Sequence, residues 1–413
     1  MTATTEAPGP PRAMQPGAPR DTGLLDRIEE LADVFRKEAP ACDELGRATA
    51  LTEDALRSTG IVKLLQPQDF GGLEGHPTEF IHGCIEIARL SSSAGWIAGV
   101  VGVHPHEVAL GSRRLQEEIW GAESPLGAET WIASPYAPGG VAVPTDGGYV
   151  FNGRWSYSSG TDLCQWVTIG GWIADEDGEV RNRSSYHFAL PREDYEIVED
   201  SWDVFGLQGT GSKDLVVKDA FVPAHRVIAT EEITEGSAAV GAGRADAPIY
   251  YLPRNVMFAG AVTAASVGIA KGVVDTVLEI NAERLARHGK ASKDPFQLAT
   301  LGRAAADVDA SITQILHDVD RAYEHARRGE LVPLSLRAEI RRNQAAASVR
   351  AAAAADAVFR ISGGVGMYAG FGLERRWRDS QAALHHIHNL AEPVWQSWGL
   401  LHFGYEGIPT VKF

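Results

Sequence analysis

Three histidines crowd one short segment toward the C-terminal end of the chain: His385, His386 and His388, a few residues after Arg376-Trp377-Arg378-Asp379. The whole chain carries 13. Imidazole titrates nearest neutrality, so such a cluster is a metal site, a proton-transfer site, or a coincidence on a helix. On a helix, positions 385 and 388 share a side while 386 points elsewhere, so all three do not face one pocket. A second pair, His104 and His106 in Val103-His-Pro-His, could ligate a metal, but no carboxylate stands at facial-triad spacing. One exposed and one pocket-facing histidine is the better reading. Trp155-Ser-Tyr-Ser158-Ser159-Gly160 ends a strand pattern with small hydroxyls that either donate to a heteroaromatic ring or face solvent. Gly364-Val-Gly366-Met-Tyr-Ala369 matches G-x-G-x-x-A but follows a helical pattern, not a strand. That disfavours a dinucleotide fold and leaves a helix–helix turn or a close backbone approach to a cofactor. Gly206, Gly209 and Gly211 crowd a tight turn that enters a strand at Asp214.

These groups need elements to position them. From Thr22 to about Ile119 apolar residues recur at helical spacing, as in Leu24, Ile28, Leu31, Val34 and Phe35. Thr52–Ser58 and Ile81–Leu90 continue the pattern, with a Pro/Gly-punctuated loop between them. From about Glu129 to Val227 turns come often and β-branched and aromatic residues rise. Strands are expected at Val141–Val143, Tyr149–Phe151, Arg154–Ser158, Trp166–Trp172, Ser185–Leu190 and Asp214–Phe221, with a hairpin turn at Asp146-Gly147-Gly148. Long helical segments follow at Val256–Gly289, Phe296–Gly329 and Leu336–Ser362. The expected fold class is α+β. Residues 1–22 form a disordered tail, 23–128 a helical domain, 129–227 a central antiparallel β-barrel or sandwich, and 228–413 a helical bundle. The chain has 413 residues, 44% hydrophobic and 22% charged, as expected of a globular protein of two or three domains. A net charge of -16 argues against nucleic acid or an anionic membrane as partner. Cys42, Cys84 and Cys164 are far apart, which fits a reducing cytoplasm and excludes a thiolate zinc site. No transmembrane helix or targeting peptide is expected.

In order and spacing these pieces resemble the acyl-CoA dehydrogenase fold family. The branch they resemble is the reduced-flavin-dependent oxygenase components of two-component aromatic monooxygenases, hydroxylases of phenolic rings, including the phenolic secosteroid and p-hydroxyphenylacetate hydroxylases. The resemblance is carried by Leu64-Leu-Gln-Pro-Gln68 with Gly71-Gly-Leu73, Gly95-Trp96 with Val101-Gly-Val-His104, and Ser134-Pro-Tyr-Ala-Pro138. Gly147-Gly-Tyr149, Asn152-Gly153, Ser158-Ser-Gly160 and Leu190-Pro-Arg192 with Tyr195-Glu-Ile197 continue it. Gly209-Thr-Gly-Ser212, Phe221-Val-Pro223 and Trp377-Arg-Asp379 complete it. It spans about residues 23–410.

The resemblance implies a bound flavin, reduced FMN by family habit with FAD the alternative, supplied by a separate NAD(P)H:flavin reductase, and a homotetramer. It implies that Trp96, Ser134, Pro135, Tyr136, Tyr157, Ser158 and Ser159 line the flavin, with Ser159 at N5. Arg284 pairs with the flavin phosphate, commonly from a neighbouring subunit, Gly364 and Val365 make a turn at the flavin, and His386 with Ile387 borders the ring. It further implies a flavin hydroperoxide whose distal oxygen is transferred to an electron-rich ring. His386, nine residues after Trp377, is then the base that deprotonates the phenol, and His104, eight residues after Trp96, holds its oxygen. His385, His388 and His106 receive no role, and no metal is expected. One departure matters. Acyl-CoA dehydrogenases often place a catalytic glutamate just after the Arg-Asp pair, whereas no acid follows Asp379 until Glu392. That favours oxygen insertion over hydrogen removal. The rivals are an acyl-CoA dehydrogenase-like flavoenzyme, an N-oxygenase of an amine or amino sugar, and a metal-binding scaffold.

Overall fold

The computed structural model describes residues 22–175, 177–288 and 294–413, leaving aside the side chains of 284–288. The expected tail, apart from Thr22, and the Arg284 side chain thus lie outside the described residues.

Local sequence signals set the N-terminal helices: α1 Leu24–Glu30, α2 Ala32–Leu45, α3 Ala50–Thr59, α4 Pro77–Leu90, α5 Ser92–Gly102, α6 His104–Val108 and α7 Arg113–Trp120. Thr49 caps α3 by accepting the Thr52 amide, and Ser112 caps α7 by accepting that of Leu115. Pro77 opens α4 where its missing N–H costs nothing. Every residue of α5 is buried, the pattern of a helix enclosed on all sides, and it carries Trp96.

Among the described residues eight strands follow: β1 Ile132–Ala133, β2 Gly140–Thr145, β3 Gly148–Ser158, β4 Trp166–Ile173, β5 Tyr186–Pro191, β6 Glu196–Val198, β7 Lys213–Pro223 and β8 Val227–Ala229. They form one sheet in the order β6-β7-β3-β2-β4-β5-β8, with β1 beside β4. The two short strands expected at Tyr149–Phe151 and Arg154–Ser158 are one strand, β3. Its pairing with β7 shifts register at Phe151/Gly153 and again at Trp155/Ser158. A bulge there re-aims side chains, and the second shift falls beside Ser159. The expectation of a wholly antiparallel sheet needs correction: β1 and β2 both run parallel to β4.

Short helices α8 Thr230–Thr234 and α9 Ala238–Gly241 lead to the bundle: α10 Arg254–His288, α11 Pro295–Arg327, α12 Leu334–Ile361, α13 Leu373–Ala383 and α14 Ala391–His402. The stretch Arg254–Glu283 of α10 is long and apolar enough to cross a membrane, with hydropathy 1.6, an apolarity the sequence expectation of no such window missed. Yet 94% of that window is buried inside the fold, which makes it the core helix of the bundle. Two glycines let α4 approach it. A Cβ on Gly268 would sit 2.4 Å from the Ile85 carbonyl oxygen, and one on Gly272 would sit 2.7 Å from that of Arg89.

Candidate active site

The chemistry-bearing side chains meet where α5, α6, α10 and the segment after α13 face the β1–β2 loop and the end of β3. Phe258, on the first turns of α10, is the hub. Its ring lies 6.1 Å from that of His104, 4.9 Å from Tyr136, 6.3 Å from His386 and 5.1 Å from His388. Trp96 packs edge-on to His386 at 5.6 Å, and its indole N–H donates to Ser159 Oγ at 3.1 Å. Four residues that the resemblance singled out, Trp96, His104, Tyr136 and His386, thus converge on one aromatic cluster, and Ser159 stands at its edge.

The His385–His388 segment differs from expectation. α13 ends at Ala383, so the histidines follow a turn rather than a helix face. His386 and His388 lie together, their rings 5.5 Å apart and nearly parallel, while the exposed His385 turns toward Phe205. Asn389 fixes this turn. It accepts from Ser348 on α12 at 2.8 Å and donates to Ser266 on α10 and to the Ala383 carbonyl. Buried Arg341 donates to the His388 carbonyl. His386 Nδ1 accepts the His388 amide at 3.3 Å, so the neutral ring carries its proton on Nε2. Burial, with the charge of Arg341, pushes His386 down to about 4, so the ring is neutral at ordinary pH. A ring so arranged offers an N–H; to act as the base expected of His386 it must give up its amide contact.

His104 and His106 are both buried, which corrects the reading of one as exposed. His106 bonds the Ile249 carbonyl at 3.0 Å and serves structure. His104 Nδ1 lies 2.8 Å from the Tyr136 hydroxyl, which leaves Nε2 for a substrate. Burial pushes His104 down to about 3 and holds Tyr136 well above its ordinary value, so both are neutral.

Behind this pair stands a charged clamp that motif reading missed. Glu107 lies three residues after His104. Its carboxylate meets His187 Nδ1 at 2.5 Å and accepts from Arg254 Nε at 2.8 Å. Burial alone would raise Glu107, but His187 and Arg254 outweigh it and hold the carboxyl below its usual range. His187 stacks on Tyr136 at 4.3 Å, and the Arg254 guanidinium lies 4.2 Å over the same ring. The available signals were helical spacing alone: Glu107 follows His104 by one turn, and Arg254 precedes Phe258 by one turn.

Arg376-Trp377-Arg378-Asp379 is a structural knot. Arg376 donates to the carbonyls of Arg89 and Leu90 at the end of α4, and Trp377 stacks on Phe359 at 4.6 Å. Asp379 accepts the Leu207 amide at 2.7 Å, and burial pushes its carboxyl up to about 6.

Other expected residues lie around this centre. Tyr157 is half-exposed with its ring 4.8 Å from Trp202. Ser134 and Pro135 are in the β1–β2 loop, which lies so close on β4 that a Cβ on Gly170 would be 2.1 Å from the Tyr136 carbonyl oxygen. Gly364 and Val365 occupy a turn after α12, and Ile387 is exposed. The residues fit a flavin. The hydroxyls of Ser158 and Thr168 are buried and have no hydrogen-bond partner among the described residues, and Ser159, next to Ser158 in the chain, is half-buried. A polar heteroaromatic edge would satisfy such groups. Among the described residues, no three of His, Cys, Asp and Glu are grouped so as to hold a metal ion.

The chain is similar to known proteins over most of its length. Residues 261–390 match the family described as acyl-CoA dehydrogenase, C-terminal domain. A pigment production hydroxylase of Rhodococcus erythropolis is 41% identical, over 92% of this chain and 96% of that protein. The flavin-dependent monooxygenase oxygenase subunit HsaA of Mycobacterium tuberculosis is 38% identical, over 92% and 95%. An FADH2-dependent resorcinol hydroxylase oxygenase component from a Rhizobium species is 30% identical, over 88% and 90%. The crystal structure of a 3-HSA hydroxylase from a Rhodococcus species superposes with a TM-score of 0.89 at 35% identity, covering 94% of this chain and 99% of that one.

Proposed function

This chain belongs to the family of flavin-dependent monooxygenase oxygenase subunits built on the acyl-CoA dehydrogenase fold, and from that premise we propose that it hydroxylates a phenolic ring with reduced FMN delivered by a separate NAD(P)H:flavin reductase. The observation that carries the phenolic reading is the pair of neutral imidazoles, His104 and His386, packed on one phenylalanine beside Trp96. A phenol is an aromatic disc with one polar oxygen. The aromatic walls take the disc, and the imidazoles meet the oxygen.

Trp96, Ser134, Pro135, Tyr136, Tyr157 and Ser158 would hold the isoalloxazine, with Ser159 at N5. Arg284, Gly364 and Val365 would meet the rest of the cofactor. Reduced flavin, once bound, supplies the electrons and the oxygen-activating centre from which one oxygen atom passes to substrate. The chain's own tasks are to exclude water, to orient the ring, and to favour its anionic oxygen. His104, braced through Tyr136 by Glu107, Arg254 and His187, keeps Nε2 turned to that oxygen. His386 contributes an N–H rather than a base.

A homotetramer completes this reading. Met367, Tyr368, Phe371, Phe403 and Tyr405 are large apolar side chains left at least half-exposed in the single chain, surface that association would cover. Sedimentation equilibrium should return four times the chain mass of 44.3 kDa; a single-chain mass would overturn it. The functional test is product analysis with reduced FMN, oxygen and a panel of phenols and amines. Hydroxylated phenols are expected. Turnover of amines alone would instead support N-oxygenation, and reduction of bound flavin by an acyl-CoA would support dehydrogenation.

A further inference from the structure

The turn Gly209-Thr210-Gly211-Ser212 contributes two hydroxyls whose proton directions can be worked out one by one. Thr210 Oγ1 lies 2.7 Å from the Leu207 carbonyl oxygen, which only accepts, so Thr210 spends its one proton there. Ser212 Oγ lies 2.6 Å from Thr210 Oγ1 and must therefore donate to it. Ser159 Oγ lies 2.7 Å from Ser212 Oγ and, Ser212's proton being committed, must donate in turn. The Trp96 indole N–H donates to Ser159 at 3.1 Å. Ser159 is left with its proton spent, one lone pair filled, and one lone pair open. Of the three hydroxyls, Thr210 and Ser212 are buried and Ser159 alone is half-open.

The far end of the chain is anchored. Leu207 holds a left-handed backbone at φ 58, unfavourable for a branched residue, and its amide is bound by buried Asp379 at 2.7 Å. Its carbonyl also accepts from the Trp202 indole at 3.1 Å. Gly209 fits because a Cβ there would sit 2.8 Å from Cys42, and Gly211 because its φ is +54. The turn is therefore held from three sides with its hydroxyls in line toward β3.

We propose that the Leu207–Thr210–Ser212 relay locks Ser159 as a hydrogen-bond acceptor, and that this makes the site select reduced over oxidised flavin. The inference rests on the reading that Ser159 meets flavin N5. Reduced flavin carries a proton on N5 and can donate to the open lone pair. Oxidised flavin presents only a lone pair at N5, and two lone pairs repel. Ser212 and Thr210 are positioning residues: they act through the direction of the Ser159 proton.

The test measures binding of FMN, oxidised and dithionite-reduced, to the full-length protein under anaerobic conditions, by fluorescence and by absorbance. Ser212→Ala releases the Ser159 proton, which can then be donated to oxidised N5. The ratio Kd(oxidised)/Kd(reduced) should fall by roughly tenfold, the scale of one well-made hydrogen bond. The midpoint potential of bound FMN should fall correspondingly, by about 30 mV for a two-electron couple. Thr210→Val should do the same from one bond further away, and it stands in should Ser212→Ala fold poorly. Ser212→Thr and Thr210→Ser should restore the ratio. Equal weakening of both redox forms in Ser212→Ala and Thr210→Val, or no change in either, overturns the proposal. Ser159→Ala separates the two levels. If it leaves the ratio unchanged, Ser159 is not at N5 and the underlying reading fails. If it shifts the ratio while the relay variants do not, only the relay fails.

Discussion

At the scale of single residues, the sharpest result is the separation of three histidines adjacent in sequence. His386 was singled out by resemblance, from its place nine residues after Trp377, and its orientation was not legible. The argument from helix faces failed because α13 stops at Ala383, and the rings of His386 and His388 then stack instead of diverging. Its chemistry was also hidden, since an amide contact to Nδ1 is set by backbone geometry that no motif records. With folded values of about 4 for His386 and about 3 for His104, both lowered first by burial, neither ring titrates near the free imidazole value of about 6.5. Both stay neutral as pH rises from their lowered values, so the hydroxylation rate should show no imidazole inflection between about pH 5.5 and 8. His386→Ala should bind reduced FMN nearly as wild type yet lose roughly 10²-fold or more in hydroxylation rate, the scale of one lost donor to an anionic oxygen. An inflection near 6.5 in wild type that vanishes in His386→Ala would restore the base role.

At the scale of elements, helix positions were readable from periodicity to within a few residues, because each long helix buries a stripe or its whole surface. The longer strands were readable from turn residues, whereas the short β1, β6 and β8 were not expected. Pairing was not: the parallel β1–β4 and β2–β4 contacts and the continuity of β3 depend on partners distant in sequence. Nor was the Glu107–His187–Arg254 clamp legible, since its members come from α6, β5 and α10. The glycines of the bundle give a signed test of the packing. Gly268 faces the Ile85 carbonyl with no room for a methyl, so Gly268→Ala should destabilise by about 1–3 kcal/mol. Gly302, exposed within α11 with open space around it, should gain about 0.5–1 kcal/mol on changing to Ala. Chemical denaturation of both variants checks the pair. A Gly268→Ala variant as stable as wild type would mean that α10 does not lie against α4 as described.

At the scale of the whole molecule, a helical layer, a sheet and a helical bundle each contribute one side of a single aromatic cluster. α10 passes through the core and carries Arg254 and Phe258 at its N-terminal end, where the layers meet. The order of the layers was visible in the sequence, and the absent glutamate after Asp379 pointed the chemistry toward oxygen insertion. The resemblance extended that reading to a flavin and a phenolic ring. The central claim is that this assembly transfers one atom of dioxygen to a phenol at the expense of reduced flavin. The most direct measurement is a single turnover of the protein with pre-reduced FMN, a phenolic substrate and ¹⁸O₂, followed by mass spectrometry of the product. The account predicts a hydroxylated phenol carrying one ¹⁸O atom. A product labelled from water instead, or reduction of oxidised flavin by an acyl-CoA with no hydroxylated phenol at all, would contradict it.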